Sequence, residues 1–170
     1  MERMTTYIYR NMLDLQQFLS MSPKMTIYGK SFGAVNHVCT FNMAVFKHEL
    51  AHTVIGRKVG VQSNSFFCEG FAVYSEYLMD ENRYGSDLDS AKIHFDLLTE
   101  EIITGPDHRF YSFPSLYPVS GIFTQFIIDK IGIETFKIIY AQESIENAFS
   151  EAGFPLANLI AEFKNQLKNF

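Results

Sequence analysis

The segment FKHELAHTVIG, from Phe46 to Gly56, places two histidines and a glutamate within a mostly apolar helical pattern. His48 and His52 are four residues apart, so on an α-helix they lie on one face. Glu49 is rotated from that face by about 100°. Because the flanking residues are mostly apolar, the helix is expected to be largely buried, and burying these polar groups without a binding partner is costly. The segment therefore predicts a metal site.

Two imidazole nitrogens one helical turn apart suit a tetrahedral zinc ion, with Zn–N distances of about 2.0–2.1 Å. Glu49 is poorly placed to be a third ligand, but it can reach a water on the open side of the ion and act as a general base. A third protein ligand must come from another element. His37, His94 and His108 are candidates, as are several carboxylates. Lys58 stands where the HExxHxxGxxH pattern has its third histidine, which excludes that pattern.

The following segment, FFCEGFAVYSEYL, offers a carboxylate at a suitable distance along the chain. Glu69 comes 17 positions after His52, enough for a helix end, a loop and an antiparallel helix. Gly70 and Ala72 are small, so we expect this helix to approach the HELAH helix closely. Glu76 lies two turns further on nearly the same face. It is expected either to accept a ring N–H from a ligand histidine or to form a surface salt bridge.

The pair of motifs HELAH and EGFAVYSEYL resembles the gluzincin zinc peptidases, most closely the aminopeptidase N-like enzymes. In those enzymes the third zinc ligand is the glutamate of an NEGFA-type motif on the next helix. The resemblance implies that His48, His52 and Glu69 bind Zn²⁺ and that Glu49 is the catalytic base. Cys68 stands where asparagine is usual, a departure expected to affect packing more than ligation.

A second departure bears on specificity. Aminopeptidases carry a GxMEN strand that binds the free amine of the substrate, and the corresponding stretch here, GKSFGAVNHVCTF, lacks Met-Glu-Asn. An endopeptidase is therefore favoured over an aminopeptidase. Within this stretch, His37–Phe41 is expected to be a strand, either an exposed edge that pairs with an extended peptide or an interior strand.

The chain from Tyr117 to Leu167 is similar to the C-terminal part of small peptidases of the same superfamily. In those families a tyrosine or histidine of the helical lobe stabilises the oxyanion that forms during peptide hydrolysis. The resemblance makes Tyr117 the first choice for this catalytic role, with His108 and Tyr111 as alternatives. Each of the three could instead be a packing or surface residue.

The predicted fold class is α+β and, by the resemblance, zincin-like, in a single peptidase domain. A sheet-containing lobe with the HExxH helix covers about residues 1–64, and a mostly helical lobe covers about 65–170. Strands are predicted at Thr5–Arg10 and His37–Phe41. Ser65 and Ser86 are predicted to cap helices, and Gly132 to end one. The helix that begins at Ser86 is predicted to run to Ile103. The segment Asp107–Pro118 is predicted to be irregular.

Composition narrows the classes of partner. The net charge is −5 and the 14 basic residues are scattered, so nucleic acid is not expected as a partner. No apolar run is long enough to span a membrane, and the N-terminus lacks the apolar core of a secretion signal. Cys39 and Cys68 are expected to be buried free thiols. A peptide or protein substrate is the expected partner. A catalytically inactive zinc-binding relative that binds peptides or proteins is the alternative, which the intact Glu49 disfavours.

Overall fold

A computed structural model describes residues 4–22, 28–32, 35–39, 43–59, 64–78 and 80–169. The chain divides into two compact units, Met1–Lys58 and Val59–Phe170. The strands that the described residues form all lie in the first unit, whereas helices occur in both. The predicted α+β class is confirmed, with a small sheet in the N-terminal part of the chain and a mostly helical remainder.

The first unit is built on a three-stranded sheet with the order β1-β3-β2. β3 is parallel to β1 and antiparallel to β2, and Ser31 of β2 lies opposite Asn36 of β3. The strands are β1 (Thr5–Tyr9), β2 (Gly29–Phe32) and β3 (Val35–Cys39). The prediction of a strand from His37 is confirmed as far as Cys39, and residues 40 and 41 lie outside the described chain. The edge-strand alternative is wrong, because β3 pairs with β1 on one side and with β2 on the other and is therefore the central strand.

Two helices pack on opposite faces of this sheet. Successive side chains of a strand point to opposite faces. On one face, the ring of Phe18 in α1 (Met12–Phe18) stacks on His37 with centroids 4.6 Å apart. On the other face, the hydroxyl of Thr53 in α2 (Met43–Lys58) is hydrogen-bonded to the side chain of Asn36. The HELAH motif therefore lies on a helix whose one side rests on the sheet.

The second unit is helical in its described residues. Its helices are α3 (Ser65–Tyr77), α4 (Glu81–His94), α5 (Glu100–Thr104), α6 (Asp107–Tyr111), α7 (Leu116–Ile131), α8 (Ile133–Tyr140), α9 (Ile145–Glu151) and α10 (Leu156–Lys168). Gly132 ends α7 with a φ of 80°, a left-handed conformation that favours glycine. This confirms the predicted helix stop. Among the helices of both units in the described chain, none is long and apolar enough to cross a membrane.

The predicted starts of two helices are wrong, for one physical reason. Asn64 caps α3, since its side-chain oxygen accepts from the backbone N–H of Phe67, so Ser65 is the first helical residue. Asp80 caps α4 in the same way, which leaves Ser86 inside the helix. In both places an earlier Asn or Asp side chain takes the capping position for which serine also competes.

Two further segments differ from the prediction. The helix expected to run from Ser86 to Ile103 ends at His94, and a new helix, α5, begins after Thr99. The side chain of Thr99 accepts from the backbone N–H of Ile102 and so caps α5. The segment predicted to be irregular contains the short helix α6, and α7 already begins at Leu116. Tyr117 consequently lies in the first turn of a long helix.

The core of the second unit depends on a close approach of α3 to α7. A Cβ at Gly70 would come within 2.5 Å of Thr124 Oγ1, and a Cβ at Gly121 within 2.5 Å of the Tyr77 hydroxyl oxygen. Gly70 therefore permits the approach of α3 to α7, and its expected role in an approach to the HELAH helix stays a prediction. Phenylalanine side chains fill the surrounding core, namely Phe66, Phe67, Phe123, Phe136 and Phe149.

The close α3–α7 contact predicts that a Gly→Ala substitution changes the free energy of unfolding in opposite directions at two helical glycines. Gly121→Ala would push a methyl group into Val73 and Tyr77 and should lower the free energy of unfolding by about 1–3 kcal/mol. Gly85→Ala in α4 meets no atom within 4 Å and should raise it by about 0.5–1 kcal/mol. Chemical denaturation followed by circular dichroism measures both. Equal signs for the two variants would contradict the packing described.

Candidate metal centre

The two histidines of HELAH face each other across one turn of α2. Their ring centroids are 4.7 Å apart with the ring planes at 82°, and both side chains are half-buried. His48 and His52 thus occupy one stripe of the helix, as the i, i+4 spacing predicts.

Glu49 lies on the adjacent stripe and is held against the sheet. It is 7% exposed, and the Ser31 hydroxyl lies 2.6 Å from its Oε2 and 2.8 Å from its backbone oxygen. Gly29, on the same face of β2, leaves the space that the carboxylate fills, because a Cβ there would lie 2.6 Å from Glu49 Cγ and Oε1. The base predicted from the motif is therefore fixed by contacts with strand β2.

The residues that hold Glu49 were not predicted from the sequence. Gly29, Ser31 and Asn36 lie in the stretch compared with the GxMEN strand, but no role was predicted for them. The available signal was the alternation Gly-Lys-Ser, which places a glycine and a hydroxyl on one face of a strand. Only the pairing of that strand with the central one shows that this face meets α2.

Glu69 of α3 is half-buried and is contacted by a tyrosine of α6. The hydroxyl of Tyr111 donates a hydrogen bond of 3.0 Å to Glu69 Oε1. Burial, and then the neighbouring Glu69 carboxylate, raise the pKa of Tyr111 above its ordinary value. A phenol is protonated at neutral pH even without this shift, so it can donate to the carboxylate and hold it in one orientation.

Cys68, the residue before Glu69, contacts a buried tyrosine. Cys68 is a half-buried free thiol that hydrogen-bonds with the hydroxyl of Tyr140, a side chain only 2% exposed. Burial, and next the Cys68 sulfur, raise the pKa of Tyr140. The prediction of free thiols is confirmed, with Cys39 buried and Cys68 half-buried.

The three predicted ligands are brought together. One ring nitrogen each of His48 and His52 and one carboxylate oxygen of Glu69 all lie within 4.8 Å of one another. Donor atoms on a tetrahedral zinc ion are separated by about 3.4 Å, a spacing that side-chain rotation can reach from there. Two imidazoles and one carboxylate also match a donor set used by catalytic zinc sites. The residues present therefore fit a metal ion, although the donor set alone does not select zinc.

The alternative histidines lie elsewhere. His37 is buried on the sheet face opposite α2, where it stacks on Tyr7 with centroids 5.2 Å apart and its Nδ1 is 2.9 Å from the Tyr9 hydroxyl. Burial lowers the pKa of His37. His94 ends α4, and His108 is an exposed residue of α6. Within the described chain these three histidines belong to no comparable cluster.

Two further predicted residues have identified neighbours. The ring of Tyr117 packs on the buried Phe110 with centroids 5.1 Å apart. Glu76 is buried and lies 3.6 Å from the guanidinium of Arg83, which is also 3.1 Å from Asp87. Glu76 therefore takes part in a salt bridge, one of the two expected alternatives, although a buried one. Its pairing with a ligand histidine stays a prediction.

Comparison of the chain with known protein families, curated proteins and solved structures found no match. What the cluster does is therefore inferred from its residues and their geometry.

Proposed function

We propose that this chain is a zinc-dependent metallopeptidase with a zincin-like arrangement of its active-site helices. The observation that carries the proposal is the convergence of donor atoms from His48, His52 and Glu69. A glutamate directly follows the first histidine, as a base for metal-assisted hydrolysis requires. The small sheet followed by helices is compatible with this class.

His48, His52 and Glu69 would hold the metal ion. Bound there, zinc would supply a Lewis acid that lowers the pKa of water toward neutrality and polarises a carbonyl oxygen. The half-burial of the two histidines limits the competition from bulk water for their nitrogens. Tyr111 restrains Glu69 through Oε1, and the carboxylate can offer its second oxygen as a ligand.

Glu49 would act as the general base. Its carboxylate is buried and restrained by Ser31, so it meets a water molecule with little loss of side-chain entropy. It would take the proton from the attacking water and pass it to the amine nitrogen as the peptide bond breaks.

The developing oxyanion needs a hydrogen-bond donor from the protein. Tyr117 remains our first choice, because its half-buried ring is held in the first turn of α7 by packing on Phe110. Tyr111 donates to Glu69, which favours a role in orienting that ligand. The two tyrosines would then have separate functions.

An extended peptide is the proposed substrate. In the described part of the sheet, β2 is an edge strand, and its Gly29 and Ser31 face Glu49. Main-chain pairing along such an edge would bring a peptide bond close to the base. Since the stretch lacks the Met-Glu-Asn that binds a free amine, an endopeptidase is proposed.

Metal analysis tests the ligand set. We expect the purified protein to contain about one zinc ion per chain by plasma mass spectrometry, because three protein ligands suffice for a catalytic site. His48→Ala, His52→Ala and Glu69→Ala should each abolish retention of the ion. The control His108→Ala changes an exposed histidine outside the cluster and should retain it. Zinc retention by the His48 or Glu69 variant would overturn the ligand assignment.

A substitution of the base separates catalyst from binding module. Glu49→Gln should retain zinc and lower kcat on peptides selected from an unbiased library by about 10²–10⁴, the usual contribution of a general base. Glu151→Gln, at an exposed position of α9, is the matched control and should leave kcat unchanged. Cleavage by the Glu49 variant at the wild-type rate would refute the role of the base. Zinc binding without cleavage by wild type would favour the inactive peptide-binding relative.

The two tyrosines should respond differently to loss of their hydroxyls. Tyr111→Phe removes the donor to Glu69 and should weaken zinc affinity by about 10–100-fold. Tyr117→Phe should leave zinc affinity unchanged and lower kcat, since its hydroxyl would act only on the oxyanion. Zinc competition with a chelating dye and steady-state kinetics measure the two effects. The reverse pattern would exchange the two assignments.

A further inference from the structure

A buried polar network lies beside Glu49 within the first unit. Asn36 is fully buried and is the cross-strand neighbour of Ser31. The Ser31 hydroxyl has three oxygen atoms within hydrogen-bond distance: Asn36 Oδ1 at 2.9 Å, the Glu49 backbone oxygen at 2.8 Å and Glu49 Oε2 at 2.6 Å. Thr53, also buried, lies 2.5 Å from Asn36 Oδ1 and 3.2 Å from the Glu49 backbone oxygen.

The number of protons decides how this network is arranged. Each hydroxyl donates a single proton. If Asn36 Oδ1 accepts from both Ser31 and Thr53, no proton remains between the Ser31 oxygen and Glu49 Oε2. The amide nitrogen Nδ2 of Asn36 is then buried without a hydrogen-bond partner among the residues that the structure describes. An orphaned buried N–H is rare because it loses its hydration without compensation.

Exchanging the oxygen and nitrogen of the Asn36 amide removes both difficulties. The two atoms are distinguished by their hydrogen bonds, so the exchange is a legitimate assignment. Nδ2 then donates one proton to Ser31 and one to Thr53. The Ser31 proton is available for Glu49 Oε2, and the Thr53 proton for the Glu49 backbone oxygen. The cost is that the amide oxygen becomes a buried acceptor that receives no hydrogen bond from the described residues. Proteins tolerate an unused acceptor better than an orphaned donor.

We propose that Ser31 and Asn36 are positioning residues for Glu49. Asn36 donates to Ser31, and Ser31 donates to Oε2 of the Glu49 carboxylate. Because Oε2 is engaged, proton uptake is assigned to Oε1, the oxygen that lies over Gly29. Neither Ser31 nor Asn36 needs to contact the substrate side chains. The inference rests on the base role proposed for Glu49.

Kinetics of Ser31 variants test the positioning role. Ser31→Ala should lower kcat by about 10–100-fold, the usual effect of losing an orienting partner, with KM and zinc content unchanged. Ser31→Thr restores the hydroxyl and should recover most of kcat. Thr5→Ala removes an exposed hydroxyl of β1 in the same sheet and is the control. An unchanged kcat in Ser31→Ala, or a change confined to KM, overturns the proposal.

The metal-free protein gives a second readout that does not depend on activity. In a double-mutant cycle of Ser31→Ala and Glu49→Ala, the contact requires that the double variant lose less stability than the sum of the single losses. Denaturant unfolding in a chelator measures the three variants against wild type. Strict additivity would exclude the Ser31–Glu49 hydrogen bond.

An isosteric change at Asn36 tests the amide orientation. Asn36→Asp keeps an acceptor towards Ser31 and removes the donor, so it should lower kcat as Ser31→Ala does. Wild-type kcat in a folded Asn36→Asp protein overturns the Asn36 part of the proposal. If this variant does not fold, Asn36→Ser is measured instead, because serine is smaller and still carries one donor. A kcat of Asn36→Ser below that of Ser31→Ala counts against the donor role.

The failures of the two proposals can be distinguished. If Glu49→Gln cleaves peptides like wild type, the proposed base is wrong and the positioning role falls with it. If Glu49→Gln is inactive and Ser31→Ala matches wild type, only the positioning role fails. In the Glu49→Gln background, Ser31→Ala should have no further effect on residual kcat, because Ser31 acts through the carboxylate. A further loss there would indicate a role independent of Glu49 and would count against the proposal.

Discussion

The hydrogen bond between Ser31 and Glu49 determines how the HELAH helix is rotated on its sheet. Consecutive residues of a helix differ in direction by about 100°, so His48 and Glu49 cannot point the same way. Ser31 contacts both the carboxylate and the backbone oxygen of Glu49, and Thr53 on the same stripe contacts the central strand. Once this stripe rests on the sheet, the stripe with both histidines is directed to one side of it. The rotation of one helix thereby sets the directions of two predicted ligands and the base.

The Glu69 carboxylate on α3 is oriented by a similar combination of a glycine and a hydroxyl donor. Gly70 directly follows Glu69, and its missing side chain lets α3 lie against the backbone of α7 at Ser120. This contact fixes the rotation of α3, and Tyr111 then holds the Glu69 carboxylate. Gly29 serves Glu49 in the same way, since it removes the one side chain that would occupy the place of the carboxylate. In both cases a glycine permits close packing beside a carboxylate, and a hydroxyl donor fixes that carboxylate.

Some features that depend on local spacing were predicted from the sequence, whereas the pairing of the strands and the contacts that depend on it were not. The i, i+4 histidines and the stop at Gly132 follow from helical periodicity and local backbone preference. The roles of Ser31 and Asn36 depend on the register between β2 and β3 and on which sheet face α2 covers. The sequence pattern of a strand specifies which side chains share a face. It does not specify which strand pairs with it or which helix covers that face. The parallel pairing that makes β3 central was missed for the same reason.

The segment before α7 shows how a small error in secondary structure changes a functional assignment. With Asp107–Pro118 predicted as irregular, three residues were candidates for one role, with Tyr117 the first choice and His108 and Tyr111 the alternatives. The short helix α6 and the early start of α7 place the tyrosines in different environments, with Tyr111 against Glu69 and Tyr117 against Phe110. A phenol already donating to a ligand carboxylate would give up that bond to reach an oxyanion, which counts against Tyr111 in the oxyanion role. The energetics of this hydrogen bond therefore favour two roles for two tyrosines.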